Sequence, residues 1–205
     1  MFFIENEMRF SGIVYFTIVS LSVSIESCRQ ENDLQLKTEQ VLRVLNDNQA
    51  KVVVHIDGKE FYPDSSLFTG QVMLTDHMLS LSLVDQSEGR TMLNFGGGKW
   101  YAERPLIKEI VLRDAFNAGL KLGKLVDKER GIGEGYMMTE GRIEAVLFEP
   151  DKMVFRITGK VGKYSDFEKP ESYLPLEGYI VYKKPAISWS NITGDEVFKS
   201  VKPGR

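Results

Sequence analysis

Apolar and polar residues alternate with a period of two in several short segments, and this pattern constrains the fold more than any other feature of the sequence. Between residues 79 and 83, three leucines alternate with Ser80 and Ser82, as in a strand with one buried and one exposed face. Similar alternation follows residue 51 and ends at the Asp57-Gly58 pair, which favours a two-residue hairpin turn. The sequence therefore predicts antiparallel hairpins.

Further strands are predicted on both sides of this region. The candidates are residues 71–75, 90–95, 141–148, 152–159 and 176–183. Turn sequences separate them and no long helix alternates with them, so the predicted fold class is all-β and mainly antiparallel. Two architectures remain open, a β-sandwich and a calycin-like barrel, with one or two short helices. The predicted β-domain spans residues 51–190.

Two segments carry apolar residues at helical spacing. From Asn32 to Asn48 this spacing predicts a short amphipathic helix or a semi-ordered stretch, within a tether predicted over residues 28–50. Apolar residues after Pro105 also fit a helix, which a proline can open. Residues 105–128 are therefore interpreted as a short helix followed by a strand.

Two other segments are predicted to lack regular structure. Glycines 131, 133 and 135 indicate a loop. Residues 191–205 are interpreted as a polar C-terminal tail that frays.

The first 27 residues have the layout of a secretory signal. Arg9 precedes an apolar run of sixteen residues, from Phe10 to Ile25, which serine and threonine interrupt. The run falls short of the roughly 20 apolar residues that a membrane-spanning helix needs. Residues 1–27 are therefore predicted to be a cleaved signal peptide.

Residues 25–28, Ile-Glu-Ser-Cys, resemble the lipobox of bacterial lipoproteins. The resemblance implies that Cys28 is diacylated and becomes the N-terminus of the mature chain. The alternatives are a free thiol in an ordinary signal peptide and a thiol in a buried N-terminal helix. Acylation is favoured because Cys28 is the only cysteine, and an unpaired cysteine in a secreted chain needs an explanation.

The residues after Cys28 bear on where the protein is located. Position 29 is arginine rather than aspartate, which within the lipoprotein resemblance implies the outer membrane rather than the inner membrane. Residues 30–33, Gln-Glu-Asn-Asp, are similar to the short acidic signals that some Bacteroidota lipoproteins carry for display on the cell surface. A solvated linker explains the same residues. The periplasmic face and the cell surface therefore both remain open.

The order of the predicted elements resembles small lipid-anchored β-domains of the Bacteroidota cell envelope, most of them of uncharacterised function. The resemblance rests on the lipobox, the tether and an opening hairpin over residues 56–61, Ile-Asp-Gly-Lys-Glu-Phe, which glycine-punctuated hairpins follow. It implies a cell-envelope lipoprotein with a small β-domain. It transfers no catalytic residues to this chain.

The charge balance argues against nucleic acid as a partner. Cleavage after residue 27 removes Arg9 and three acidic residues from totals of 26 basic and 29 acidic side chains, so the mature chain is close to neutral. Nucleic-acid binding relies on a basic face, which this composition does not supply. The expected partners are the membrane, through the lipid, and a glycan or an envelope protein.

The sequence offers little for catalysis or metal binding. His55 and His77 lie near turns, but they belong to separate hairpins without His-x-His or His-x-x-x-His spacing. Neither Gly-x-Ser-x-Gly nor Ser-x-x-Lys occurs. Glu140, Glu144 and Glu149 could supply paired carboxylates for glycoside hydrolysis, but Glu144 alternates with apolar neighbours as exposed strand residues do. No catalytic residue, metal or cofactor is predicted.

Aromatic residues beside loops are the candidates for binding. They are Trp100, Tyr101 and Trp189, whose rings could stack on sugars or fill a partner's pocket. The alternative is that these rings close the ends of a β-domain core. The predicted function is a non-enzymatic binding or structural module of the envelope. Two alternatives remain: a calycin-like carrier whose unfilled interior holds a small apolar ligand, and, less favoured, a surface hydrolase.

Overall fold

The computed structural model describes residues 34–112 and 118–198 of the 205-residue chain. The strands are β1 (Gln49–Ile56), β2 (Lys59–Glu60), β3 (Phe68–Thr75), β4 (Met78–Asp85), β5 (Arg90–Gly96), β6 (Leu106–Val111), β7 (Ala118–Asp127), β8 (Ile132–Glu149), β9 (Lys152–Lys163), β10 (Leu174–Lys183) and β11 (Ile187–Ser190). The helices are α1 (residues 34–44) and α2 (Gly194–Phe198), and a 3₁₀ turn covers Pro170–Ser172.

Helix α1 lies almost entirely in a compact unit that ends at Arg43, and residues 44–205 form a second unit. Its presence confirms the helical interpretation of this part of the predicted tether. The predicted signal peptide and Cys28 lie outside the described residues. Among the described residues, the structure contains no helix that is both long enough and apolar enough to span a membrane.

Eight strands close into a barrel in the order β1-β3-β4-β5-β7-β8-β9-β10. Neighbours in this order are antiparallel. Closure depends on β1, which pairs with β10 along its whole length but with β3 only at Gln49–Thr69 and Ala50–Phe68. The all-β, mainly antiparallel class is confirmed, and the barrel is the architecture that forms.

The hairpins predicted from alternation are confirmed. Strand β3 pairs with β4, and β8 pairs with β9. Asp57 and Gly58 both have positive φ, 52° and 70°, as a two-residue turn between antiparallel strands requires. Strand β2 after this turn has only two residues, Lys59 and Glu60, because the chain then turns inward across the end of the barrel.

The helix predicted after Pro105 is wrong, because residues 106–111 form strand β6. Strand β8 is 18 residues long, and β7 pairs only with its first part, up to Met137. Strand β6 pairs with the remaining edge of β8, from Glu140 to Ala145, and supplies the hydrogen bonds that this edge would otherwise lack. The strand predicted to follow is confirmed as β7.

The loop predicted from glycines 131, 133 and 135 is also wrong, since Gly133 and Gly135 lie within β8. Only Gly131, with a φ of +64°, occupies the turn before the strand. Gly135 is closely packed: a Cβ atom there would lie 2.5 Å from ring atoms of Tyr164 in their present position. A ring from another segment therefore occupies the space of the missing side chain.

The C-terminal segment packs against the barrel. Strand β11 is parallel to β3 and extends the sheet beyond the closed barrel. Ile192 and Val197, which follow β11, are buried in the same core as the barrel residues. The core therefore extends past residue 190, where the sequence predicted the start of a frayed tail.

The strand directions give the barrel two distinct ends. The segment 57–67 and the turn before β8 lie at one end, which we call the cleft end. The turn between β3 and β4, the segment 97–105 and the segment 185–198 lie at the other, which we call the aromatic end.

Candidate functional site

The barrel interior is filled by its own side chains. Inward-facing residues of different strands, including Leu81, Leu93, Phe155 and Ile180, have no solvent exposure and belong to one continuous cluster. The ring centroids of Phe95 and Phe155 are 5.8 Å apart in an edge-on contact. A ligand of this barrel therefore has to be accommodated at an end or on the outer surface.

Tyr62 plugs the cleft end. Its side chain is only 2% exposed, and its hydroxyl donates a hydrogen bond of 2.6 Å to the Arg90 carbonyl and accepts one of 3.0 Å from Thr91 Oγ1. Burial raises the pKa of Tyr62 well above its ordinary value. The hydroxyl therefore stays neutral and joins the segment 57–67 to the start of β5.

A cleft of about 550 Å³ lies beside this plug. The residues that line it include Phe61, Pro63, Leu125 and Val126 on the apolar side, and Glu60, Lys124 and Glu134 on the charged side. Val126 is 64% exposed, so apolar surface extends from the cleft to solvent. An apolar floor with a few convergent polar groups is the usual composition of a ligand site.

Lys124 and Glu134 face each other across neighbouring strands. The Lys124 ammonium donates a hydrogen bond of 2.8 Å to the Phe61 carbonyl, lies 4.4 Å from the centroid of the Phe61 ring, and is 3.9 Å from a Glu134 carboxylate oxygen. Phe61 thus contributes both a hydrogen-bond acceptor and a cation–π contact. The position of the ammonium is therefore defined before any ligand arrives.

Glu134 is held by two further partners. Its carboxylate accepts a hydrogen bond of 2.9 Å from the Tyr136 hydroxyl and lies 3.2 Å from Lys163 Nζ. Partial burial acts to raise the pKa of Glu134, but the hydrogen bonds from Tyr136 and Lys163 outweigh it, so the pKa lies below its ordinary value. The same carboxylate raises the pKa of Lys163. At neutral pH the cleft wall therefore carries a fixed pattern of charges.

Asp85 also lines the cleft, but its carboxylate is already satisfied. It accepts hydrogen bonds from Ser66 Oγ at 2.7 Å and from the backbone N–H groups of Ser87 and Gly89 at 2.9 and 2.6 Å. These bonds hold the turn between β4 and β5 against the segment 57–67. Asp85 therefore shapes the cleft and has little capacity left for a ligand.

The structure keeps the candidate metal-ligating residues apart. His55 lies at the cleft end, whereas His77 lies in the turn at the aromatic end, with its Nε2 3.2 Å from the Asp76 carboxylate. No group of three or more His, Cys, Asp or Glu side chains that could hold a metal ion occurs in the part of the chain that the structure describes.

The predicted aromatic residues all lie at the aromatic end. Trp100 is 2% exposed, and its indole N–H donates a hydrogen bond of 2.8 Å to the Thr75 carbonyl. It therefore closes the core and presents no ring to solvent, as the alternative interpretation states. Tyr101 packs edge-on against it at 5.5 Å and is partly buried, whereas Trp189 is 41% exposed.

The sequence did not indicate four residues that form contacts at the two ends of the barrel. Lys124 lies in the segment interpreted as a short helix followed by a strand, and Glu134 lies in the predicted glycine loop, so nothing indicated that the two side chains face each other. Arg104 and Phe148 meet at the aromatic end, with the guanidinium carbon 5.9 Å from the ring centroid. They are 44 residues apart in the sequence, and only the fold brings them together.

Comparisons of this chain with protein-family models, with curated proteins and with solved structures found no match. The function therefore has to be argued from the geometry of the barrel and its two ends.

Proposed function

We propose that the protein is a lipid-anchored lipoprotein of the outer membrane, and that its barrel is a non-enzymatic binding module with the cleft as its ligand site. The binding site is proposed because the cleft combines apolar walls with charged side chains whose positions are already fixed. The interior of the barrel, by contrast, is filled by its own side chains. The anchor rests on residues 25–28, whose pattern resembles a lipobox. Both faces of the membrane remain compatible with this function.

The charges in the cleft favour binding over catalysis. Lys124 Nζ lies 3.9 Å from a Glu134 carboxylate oxygen, so the two opposite charges partly neutralise each other. A hydrogen bond to the Phe61 carbonyl occupies one of the three N–H donors of Lys124. The remaining donors suit hydroxyl or anionic groups of a ligand. General acid–base chemistry needs a group poised near the working pH, whereas the lowered pKa of Glu134 keeps this acid ionised.

A calycin-like carrier is the second candidate, because a closed antiparallel barrel is the architecture that such carriers use. A carrier of this kind would take its ligand inside the barrel. The side chains that fill the interior favour the cleft instead, since a ligand there displaces none of them.

Mapping of ligand contacts by nuclear magnetic resonance separates these functions. The mature chain labelled with ¹⁵N is titrated with peptidoglycan fragments, lipopolysaccharide and vesicles of outer-membrane lipid. We expect shifts at Phe61, Lys124 and Glu134, and their loss in Val126→Arg, which places a bulky cation in the cleft. Val111→Arg is the matched control, because Val111 is 62% exposed and lies on β6, away from the cleft.

Other results of this titration would contradict the cleft as the binding site. Shifts centred on interior residues such as Leu81 and Phe155 would favour the carrier. Turnover of any of these probes would favour the hydrolase. Equal binding by Val126→Arg and Val111→Arg would place the ligand elsewhere on the barrel.

The lipid anchor is tested in cells with a fatty acid analogue. Incorporation of the label into the native protein and its loss in Cys28→Ala are expected, because the thiol is the acylation site in the proposed lipobox. Ser27→Ala keeps a small residue before the cysteine and serves as the control. A label that persists in Cys28→Ala would contradict the anchor without bearing on the cleft.

A further inference from the structure

Three consecutive residues of β7 line the cleft, although successive residues of a regular strand point to opposite faces. They are Lys124, Leu125 and Val126. A bulge accounts for this arrangement, because the pairing with β8 shifts register between Leu125 and Asp127 and leaves Val126 without a partner. Bulges are frequent at the rims of barrels and beside active sites, where they redirect a side chain. This bulge brings a cation and two apolar side chains into one cleft.

The charged groups at this position retain hydrogen-bonding capacity. Tyr136 and Lys163 both contact Oε1 of Glu134, at 2.9 and 3.2 Å. The other oxygen, Oε2, lies 3.9 Å from Lys124 Nζ, which is beyond hydrogen-bond reach, and it accepts no hydrogen bond in the described part of the chain. Lys124 donates to the Phe61 carbonyl alone among the described residues, so two of its three N–H groups have no acceptor there.

The gap between Lys124 and Glu134 fits a hydroxyl group. An oxygen atom about 2.8 Å from both Nζ and Oε2 would accept from the ammonium and donate to the carboxylate, with about 90° between the two bonds. A hydroxyl combines a donor and an acceptor on a single atom. Water can form the same two bonds, so a ligand hydroxyl replaces solvent without loss of hydrogen bonds. An ether can form only the bond from Lys124.

The opposite charges of this pair disfavour a charged ligand group. A carboxylate bonded to Lys124 would lie close to Glu134, and an ammonium bonded to Glu134 would lie close to Lys124. In either case the second member of the pair repels the ligand. Glu60 and Asp85 also line the cleft, but Glu60 is exposed to solvent and Asp85 accepts three hydrogen bonds from the protein. Neither therefore offers a strong site for a cation.

The other walls of the cleft favour an aliphatic body on the ligand. Pro63 and Val126 are exposed and Leu125 is partly exposed, so a hydrocarbon chain that covers them removes apolar surface from water. Both aromatic residues of the cleft, Phe61 and Tyr62, are buried. Contacts with the ligand are therefore aliphatic, and stacking on an aromatic face is not available.

We propose that the cleft binds an uncharged aliphatic alcohol, with its hydroxyl between Lys124 and Glu134 and its hydrocarbon chain on Pro63, Leu125 and Val126. This inference rests on the proposal that the cleft is the ligand site. It narrows the ligand of that site to neutral molecules that combine a hydrocarbon chain with a hydroxyl group.

Four small probes that differ in their polar group test the ligand class. They are 1-hexanol, methyl pentyl ether, hexanoate and hexylammonium, each titrated into a ¹⁵N-labelled chain of residues 28–205. The backbone amide signals of Lys124, Leu125 and Val126 report binding. We expect a saturable shift with 1-hexanol and at least about tenfold weaker binding of the other three. The ether lacks the hydrogen bond to a charged group, and the two ions meet the repulsion described above.

Variants assign the two bonds of the hydroxyl. Glu134→Gln should weaken 1-hexanol binding about tenfold, because the free carboxylate oxygen is lost, and should strengthen hexanoate binding, because the repulsion is lost. Lys124→Met should weaken 1-hexanol and the ether alike and strengthen hexylammonium binding. A purely structural role of either side chain would weaken all four probes together. Glu140→Gln is the matched control on β8, since Glu140 does not line the cleft, and it should bind every probe as the native chain does.

Val126→Arg distinguishes failure of the alcohol from failure of the cleft. The alcohol proposal alone is overturned if the ether or an ion binds as tightly as 1-hexanol, or if Glu134→Gln weakens all four probes equally. It is also overturned if 1-hexanol gives no saturable shift up to about 20 mM. Both proposals are overturned if 1-hexanol binds Val126→Arg as tightly as it binds Val111→Arg, because the alcohol would then lie outside the cleft.

Discussion

Glu134 connects the charge pattern of the cleft to the stability of the barrel. Its carboxylate accepts the Tyr136 hydroxyl hydrogen bond and pairs with Lys163, and its pKa in the folded chain lies below the ordinary value of 4.5. A carboxyl whose pKa is depressed by folding stabilises the fold above its unfolded pKa, and this contribution is lost as the pH falls through the folded pKa.

Replacement of this carboxylate tests the linkage. Glu134→Gln should lower the free energy of unfolding at pH 7 by about 1 kcal/mol, since it removes charge-assisted bonds at a partly exposed site. The difference from the native chain should shrink as the pH falls below 4.5, the ordinary pKa of the carboxyl in the unfolded chain, and should disappear below the lower pKa of the folded chain. Urea denaturation at several pH values measures it.

Glu140→Gln is the control for this substitution. Glu140 forms an ion pair of 2.7 Å with Lys160, but both side chains are about half exposed, so the loss should stay within about 0.5 kcal/mol. A Glu134→Gln difference that stayed constant from pH 3 to pH 7 would contradict the linkage.

The sequence was least informative about whether an individual side chain beside a loop is buried or exposed. Trp100 and Trp189 both lie beside loops, yet one is buried and the other exposed. The difference arises because Thr75, which accepts the Trp100 indole bond, belongs to a different hairpin. Alternation along one segment shows which face of a strand is apolar, but it contains no information about which distant backbone group covers a loop residue.

At the scale of elements, the two glycines of β8 at positions 135 and 141 have different reasons to be glycine. A Cβ atom at Gly135 would meet only the ring of Tyr164, whereas one at Gly141 would overlap the backbone of Thr158 and Gly159. Gly141 also has a φ of +129°, which other residues rarely adopt. Gly141 also lies next to the point where β8 changes partner from β7 to β6.

The two positions should therefore respond differently to alanine. Gly135→Ala should cost about 1–2 kcal/mol, because the exposed Tyr164 ring can move aside. Tyr164→Ala should recover most of that cost in the double variant, as a double-mutant cycle by urea denaturation would measure. Gly141→Ala should cost about 3 kcal/mol or more and should not be recovered by Tyr164→Ala. Equal costs at the two positions would contradict this account.

Elements were predictable where the alternation was strict. The hairpins β3–β4 and β8–β9 follow from period-two patterns and turn residues alone. Strand β6 could not be predicted in this way, because its apolar residues match helical spacing as well as strand spacing. These residues are Leu106, Ile107, Ile110 and Val111. The unpaired edge of β8 decided between the two, and that edge exists only after the other strands have assembled.

At the scale of the whole molecule, the choice between sandwich and barrel depends on very little of the chain. Two residue pairs between β1 and β3 close the sheet. Every hairpin would be the same in a sandwich, so local patterns could not distinguish the two architectures. The sequence also did not indicate that the C-terminal segment contributes to the core, because Ile192 and Val197 are isolated apolar residues among polar ones and form no periodic pattern.

Truncation at each terminus tests which parts of the chain the barrel needs. A chain that begins at residue 44 retains every strand of the closed barrel and the buried Leu45, so its midpoint of urea unfolding should match that of a chain that begins at residue 28. A chain that ends at residue 190 loses Ile192 and Val197 from the core, together with the carbonyl that Arg104 binds. Exposure of the surrounding apolar surface should cost roughly 3 kcal/mol or more.

The prediction is a difference in stability between the two truncated chains. The same urea unfolding curves, followed by far-ultraviolet circular dichroism, should show a large loss of stability only for the C-terminal truncation. A chain of residues 28–198 is the control, because it is shortened at the same end but retains all of the described C-terminal residues. If the chain ending at residue 190 were as stable as this control, residues 191–198 would be a tail on the barrel and not a part of its core.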